Sequence, residues 1–192
     1  MKPVVARVAT SAAVDQGAWT ARLIDAVDRP LERASTLPRS LFTDPSVFDR
    51  EMRTLFHRSW QCVGREDEIP AAGDFRTFEV GGSGVLLIRG ADHVVRAFHN
   101  VCRHRGTRIV ESGAGRGMTV LQCPYHAWTY SLSGELVGAP HMDGIEAFAR
   151  EDSGLLSIRC ETWRGFVFVN LNSESEPLVD FLGAFVDRAK TY

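Results

Sequence analysis

Two short stretches, CRHRG at residues 102–106 and CPYH at residues 123–126, constrain this chain more than anything else in it. Each offers one thiol and one imidazole: Cys102 with His104, and Cys123 with His126. Eighteen residues separate His104 from Cys123, so the two pairs belong to two loops rather than one turn. Each pair follows a run that reads as a strand, the first ending at Asn100 and the second at Gln122. The ligand types therefore stand at the mouths of two hairpin-like loops, which must lie side by side to bring four groups to one point. The remaining cysteines are Cys62 and Cys160. Four cysteines allow two disulfides, but a 192-residue chain that is 44% hydrophobic can stabilise its own core. With two of the thiols beside histidines, a metal framework is the better reading.

The rest of the chain shows what carries those loops. Residues 60–64, 75–80, 85–90, 94–100, 119–124, 128–132 and 166–171 read as short strands separated by glycine-bearing turns, with GADH as a hairpin turn. Helical spacing of Trp19, Leu23, Ile24 and Val27 predicts a helix over 15–28, ended by Pro30. STLPRSLFTDP is expected to be an extended connector. Asp44 and Pro45 then read as N-cap and first residue of a helix whose apolar stripe is Phe48, Met52, Leu55 and Phe56. A last helix is expected over 178–190, with Leu178, Phe181, Leu182, Phe185 and Val186 on one face. Residues 1–14 lack a proper apolar core or cleavage pattern and read as a flexible terminus. A net charge of −2 gives no reason to expect nucleic acid as a partner, and no apolar run approaches membrane-spanning length. A cytoplasmic location is the default expectation.

The order of the ligands bears on which metal they suit. Structural zinc usually takes cysteines and histidines in like pairs or C-x2-C knuckles. Here each loop supplies one sulfur and one nitrogen, which suits a two-iron cluster with both cysteines on one iron and both histidines on the other. That is the Rieske arrangement; a zinc-bound interaction module is the distant alternative.

NVCRHRGTRIV, CPYHAWTYSLSGELVGAPHM and LPRSLFTDPSVFDREMRTLFHRSW resemble the N-terminal part of the alpha subunit of Rieske non-haem iron oxygenases. These include aromatic-ring-hydroxylating dioxygenases and monooxygenases of quaternary amines. The resemblance covers roughly residues 35–192. It implies a mainly β fold: a Rieske-type [2Fe–2S] antiparallel β-sandwich over 58–172, a helical lead-in at 15–57, and a C-terminal helix at 173–192 leading toward a catalytic domain. It implies that Cys102 and Cys123 bind the inner iron, His104 and His126 the outer one, and that GAP at 138–140 is the proline loop over the cluster.

The implied function is passage of single electrons from a reductase or ferredoxin to a mononuclear non-haem iron in the catalytic domain, within a homo-oligomer. That iron takes two histidines and a carboxylate. Only His57, His93, His99 and His141 remain after the cluster ligands, in no D-x2-H-x4-H-like pattern. The chain alone is therefore expected to carry electrons without hydroxylating, and to be a fragment, a truncated gene product or a lone module. The alternative is a stand-alone Rieske ferredoxin, which would need no ~55-residue helical lead-in.

The neighbours of the ligands bear on the potential. In high-potential relatives a disulfide ties the two loops; the corresponding positions here are Thr107 and Tyr125. Trp128 stands where those relatives have a serine donor, while Tyr130 matches a tyrosine that donates to a cysteine sulfur. Fewer donors imply the low end of the Rieske range, about −150 mV rather than about +300 mV. Arg103, Arg105 and Arg108 are either a solvated basic loop or a docking patch for an acidic donor. His99 reads as a strand residue, His141 with Asp143 as loop, His57 and His93 as surface, Cys62 and Cys160 as buried free thiols, and Trp60 and Trp163 as core.

Overall fold

The computed structural model describes residues 30–191 apart from 34, 112 and 143, together with Ala21 and Ile24. Residues 1–14 and nearly all of the helix expected over 15–28 lie outside the described residues; Ala21 and Ile24 are helical. The chain divides into two compact units, residues 1–51 and residues 52–192.

In the first unit the stretch expected to be extended contains a helical turn, α1, Ser40–Thr43. Asp44 then caps α2, Pro45–Glu51. Its Oδ1 accepts the Ser46 N–H at 2.9 Å and the Ser46 hydroxyl at 2.8 Å. These bonds favour the ionised carboxyl and hold its pKa below the usual carboxylate value. Pro45 sits at the first helical position, where a missing N–H costs nothing.

The second unit opens with a π-helical turn, Met52–Phe56, in which the His57 N–H reaches back to the Met52 carbonyl at 3.0 Å. Phe48, Leu55 and Phe56 of the expected apolar stripe are exposed. Periodicity reveals an apolar face but not whether anything covers it.

Among the described residues ten strands follow: β1 Gln61–Arg65, β2 Phe75–Val80, β3 Ser83–Arg89, β4 Val95–His99, β5 Ala114–Gly115, β6 Leu121–Gln122, β7 Thr129–Tyr130, β8 Leu136–Gly138, β9 Ser157–Trp163 and β10 Phe166–Asn170. They form a seven-stranded sheet in the order β1-β10-β9-β4-β3-β2-β5 and a three-stranded sheet in the order β6-β7-β8. The pairings are antiparallel. β9 lies outside the expected strands, although Ile158 and Cys160 alternate in period two with Arg159 and Glu161. The two pair with each other at 2.8 Å, which satisfies the charges. β9 turns into β10 at Arg164 and Gly165, both with positive φ (52° and 80°), the hairpin geometry that glycine favours.

β3 explains why one strand reads as a continuous apolar run. Val85, Leu86, Leu87 and Ile88 are 0–1% exposed. Successive side chains point to opposite faces, so Leu86 and Ile88 join one core and Val85 and Leu87 the other. The first core also holds Cys102, Cys123, Trp128 and Tyr130. The loops that carry the cysteines are thus anchored in the interior.

The helix expected over 178–190 is two helices, α3 Leu178–Leu182 and α4 Ala184–Arg188, followed by a 3-10 turn, Ala189–Thr191. Gly183 breaks it at φ 49°, ψ −131°, a backbone that suits glycine. Leu178 is buried, while Phe181 and Phe185 are exposed. No helix among the described residues is long and apolar enough to cross a membrane.

Candidate metal centre

The two ligand-bearing loops share one backbone design. In the first, between β4 and β5, the Cys102 N–H donates to the Thr107 carbonyl at 2.8 Å, and the Cys102 carbonyl accepts the Gly106 N–H at 3.0 Å. In the second, between β6 and β7, the Cys123 N–H donates to the Trp128 carbonyl at 2.8 Å, and the Cys123 carbonyl accepts the Ala127 N–H at 3.1 Å. The residue four after each cysteine is left-handed: Gly106 at φ 71° and Ala127 at φ 57°. For alanine that conformation costs about 1–2 kcal/mol.

Asn100 closes the first loop further out. Its buried amide donates to the Val110 carbonyl at 2.7 Å and accepts the N–H groups of Ile109 and Val110 at 3.2 and 3.0 Å. The sequence did not single out this residue. An asparagine at a strand end before a long loop is the only signal it offered.

The structure sets His104 beside His126 and places Cys102 and Cys123 in one core. Cys102 and Cys123 are free and buried, 2% and 3% exposed. His104 and His126 are half-buried, with ring centroids 4.7 Å apart and planes at 71°. Nδ1 of each is buried without a hydrogen-bond partner. A buried polar atom left unpaired is costly and calls for a reason; a metal bound at Nδ1 supplies one. Two buried thiols with two unpaired ring nitrogens fit a two-iron cluster that asks two protein ligands of each iron. Among the described residues no three or more Cys, His, Asp or Glu converge as around a single ion.

Burial lowers the His126 pKa, and the charges of His104, Arg105 and His141 lower it further. That favours the neutral imidazole a metal needs. Tyr130, fully buried, lies with Oη 3.3 Å from Cys102 Sγ. The same oxygen accepts the Arg103 N–H at 3.0 Å, which leaves the phenolic hydrogen for the sulfur. Burial first, then Cys102, push the phenol above its ordinary pKa, so it stays a donor.

The other singled-out residues stand apart. Arg103, Arg105 and Arg108 are exposed, and Arg108 meets Glu79 at 3.4 Å. His141 is exposed on the loop after β8 at φ 65°. Asp143 lies outside the described residues. His99 is half-buried on β4, its pKa lowered by burial. The Nε2 of His57 pairs with the Gly81 carbonyl at 2.7 Å, and exposed His93 is left-handed. Trp60 is buried and donates to the Glu176 carbonyl at 3.0 Å; Trp163 is only half-buried. Cys62, expected to be buried, is exposed, because edge strand β1 turns it outward; Cys160 is half-buried, its thiol pushed up to about 12 by burial and by Glu161.

Residues 59–149 match the Rieske [2Fe–2S] domain family, and this part of the chain is a Rieske domain. Carnitine monooxygenase oxygenase subunit of Acinetobacter baumannii is 39% identical over 155 residues, 81% of this chain and 42% of the relative. Glycine betaine monooxygenase oxygenase subunit of Pseudomonas aeruginosa is 38% identical over 164 residues, 85% of this chain and 38% of the relative. The apo crystal structure of the quaternary ammonium Rieske monooxygenase CntA superposes with a TM-score of 0.77 at 39% identity, over 82% of this chain and 46% of that one. Naphthalene 1,2-dioxygenase with indole bound gives a TM-score of 0.70 at 34% identity, over 76% and 33%. The chain belongs with the Rieske oxygenase alpha subunits. It spans about two fifths of the length of these curated relatives.

Proposed function

We propose that Cys102 and Cys123 hold one iron of a Rieske-type [2Fe–2S] cluster and His104 and His126 the other. On this reading the chain is the electron-receiving part of an oxygenase alpha subunit. When bound, such a cluster takes up and releases one electron at a time. The observation that carries the reading is the pair of matched loops, each presenting one buried thiol and one buried, unpaired imidazole nitrogen.

The protein's own groups do the rest. The cysteines are sealed in the core and the histidines are half-buried, so the imidazole side faces the surface through which electrons exchange. Tyr130 donates to Cys102 Sγ and favours added negative charge there. Exposed Arg103 and Arg105 flank the histidines and suit an acidic reductase or ferredoxin. The layout follows the sequence reading: a helical lead-in at 15–57, the Rieske domain at 58–172, and a helical segment at 173–192 leading toward a catalytic domain with the mononuclear iron, within a homo-oligomer. The substrate class we favour is a quaternary ammonium compound, because the relatives named for carnitine and glycine betaine are 38–39% identical against 34% for naphthalene dioxygenase. A reducing, cytoplasmic setting suits the free thiols of Cys62 and Cys160.

Metal and acid-labile sulfide analysis tests the centre. Two irons and two sulfides per chain are expected, lost on replacing Cys102 or Cys123; stoichiometric zinc without sulfide overturns it. The chain given donor and ferrous iron but no other polypeptide should oxygenate nothing, and product from carnitine or glycine betaine under those conditions would contradict the division of labour.

A further inference from the structure

His104 and His126 are each packed against aromatic rings. Trp128 lies nearly parallel to His104, with centroids 4.9 Å apart and planes at 13°. Tyr125 lies over His126 at 3.7 Å and 29°. The two imidazoles meet edge to face at 4.7 Å. Phe148 backs Trp128 from 5.6 Å. The order is thus Trp128, His104, His126, Tyr125, a row of four rings whose inner pair carries the unpaired nitrogens.

This row has a physical task. A histidine's second side-chain torsion is a soft, broad rotor, so the ring plane does not fix itself. A metal-bound histidine is usually oriented by a hydrogen bond from its other nitrogen to a carboxylate, carbonyl or water. Among the described residues Nδ1 of His104 and of His126 is buried without a partner, so no hydrogen bond at that atom fixes either ring. Rotation of either imidazole would instead drive its edge into the face of a neighbouring ring. Nδ1 lies in the ring plane, so fixing the plane aims Nδ1.

We infer that Trp128 and Tyr125 are positioning residues for the metal centre: their rings set the orientation of His104 and His126. The inference rests on the reading that these histidines hold the cluster. It gives the aromatic residues in the second loop a task beyond filling positions where other Rieske proteins have a cysteine and a serine. It also assigns the two stacks different fragility. Trp128 is 5% exposed and belongs to the core, whereas Tyr125 is 61% exposed and contributes little to packing.

The test uses the full-length, cluster-loaded protein and four variants: Trp128→Phe and Tyr125→Phe, which keep a flat ring, and Trp128→Leu and Tyr125→Leu, which do not. The readouts are the electron paramagnetic resonance spectrum of the reduced state and the rate of bleaching by an iron chelator. The leucine variants should show a shifted, broadened spectrum and bleaching faster by about tenfold, the lower end of the range for residues that orient metal ligands. The phenylalanine variants should resemble the parent. Trp128→Leu removes core volume; if it does not fold, Tyr125→Leu decides, since its thermal unfolding should match the parent. Parent-like spectra and bleaching in Tyr125→Leu overturn the inference, as does a Tyr125→Phe variant as impaired as Tyr125→Leu, which would assign the effect to the hydroxyl. A parent protein without two irons and two sulfides would instead overturn the cluster reading itself.

Discussion

Replacing Asn100 by alanine should unfold the first ligand loop before it disturbs anything else. The amide is 3% exposed and makes three hydrogen bonds across the loop, to the Val110 carbonyl at 2.7 Å and from the Ile109 and Val110 N–H groups at 3.2 and 3.0 Å. Ile109 and Val110 are themselves 6% and 7% exposed, so water reaches these groups poorly. Alanine leaves two donors and one acceptor unpaired. A buried polar group without a partner costs about 1–3 kcal/mol. With partial relaxation of the loop, the three together should cost about 3–5 kcal/mol. Whole domains are stable by only about 5–15 kcal/mol, so this is a large fraction of the total. The midpoint of thermal unfolding should fall by about 10 °C or more. Urea unfolding followed by circular dichroism, on protein with and without its metal, measures the loss. Asn100→Asp keeps the acceptor for both N–H groups but sets a buried carboxylate against the Val110 carbonyl, so it should not recover the parent's stability. A loss under about 1 kcal/mol for Asn100→Ala would refute the reasoning. The loop would then hold its shape without the amide.

Tyr130→Phe removes the hydroxyl that lies 3.3 Å from Cys102 Sγ. From a parent midpoint near the low end of the Rieske range, about −150 mV, it should lower the potential by roughly 60 mV. That is one hydrogen bond of about 1.4 kcal/mol at 59 mV per tenfold for one electron. Protein-film voltammetry reads this directly, and an unchanged midpoint would mean that the phenol does not donate to the sulfur. The Cys160 thiol, pushed up to about 12, should resist alkylation at pH 8 while exposed Cys62 reacts, as peptide mass mapping would reveal. Because its folded pKa exceeds the unfolded value, its contribution to stability is intact below about pH 9 and is lost as pH climbs from about 9 to about 12. Cys160→Ala should flatten the fall in urea midpoint across that window.

The site was legible in the sequence because its chemistry is local. Cys102 with His104 and Cys123 with His126 each fall within four residues, so short-range spacing alone suffices to propose the ligand set. The strand β2 and the GADH hairpin were equally plain, because alternation and turn residues act over neighbours. Asp44 was readable as a cap for the same reason. Two departures from the fold lie where the local pattern was ambiguous. β9 alternates Ile158 and Cys160 with the charged Arg159 and Glu161, and its place between β4 and β10 buries Ile158. Gly183 splits the last helix although the apolar spacing runs through it.

By itself, the sequence determined the candidate ligands, the two-loop plan and the mainly β frame, since all three follow from composition and spacing along a few residues. Only the tertiary structure decided which apolar faces are covered, how Asn100 closes one loop on Val110, and that Trp128 and Tyr125 stack on the two histidines. The physical reason is that orientation and burial are properties of neighbours in space. Trp128 faces an imidazole 24 residues earlier in the chain, across two loops that meet only when the sheets that carry them have formed.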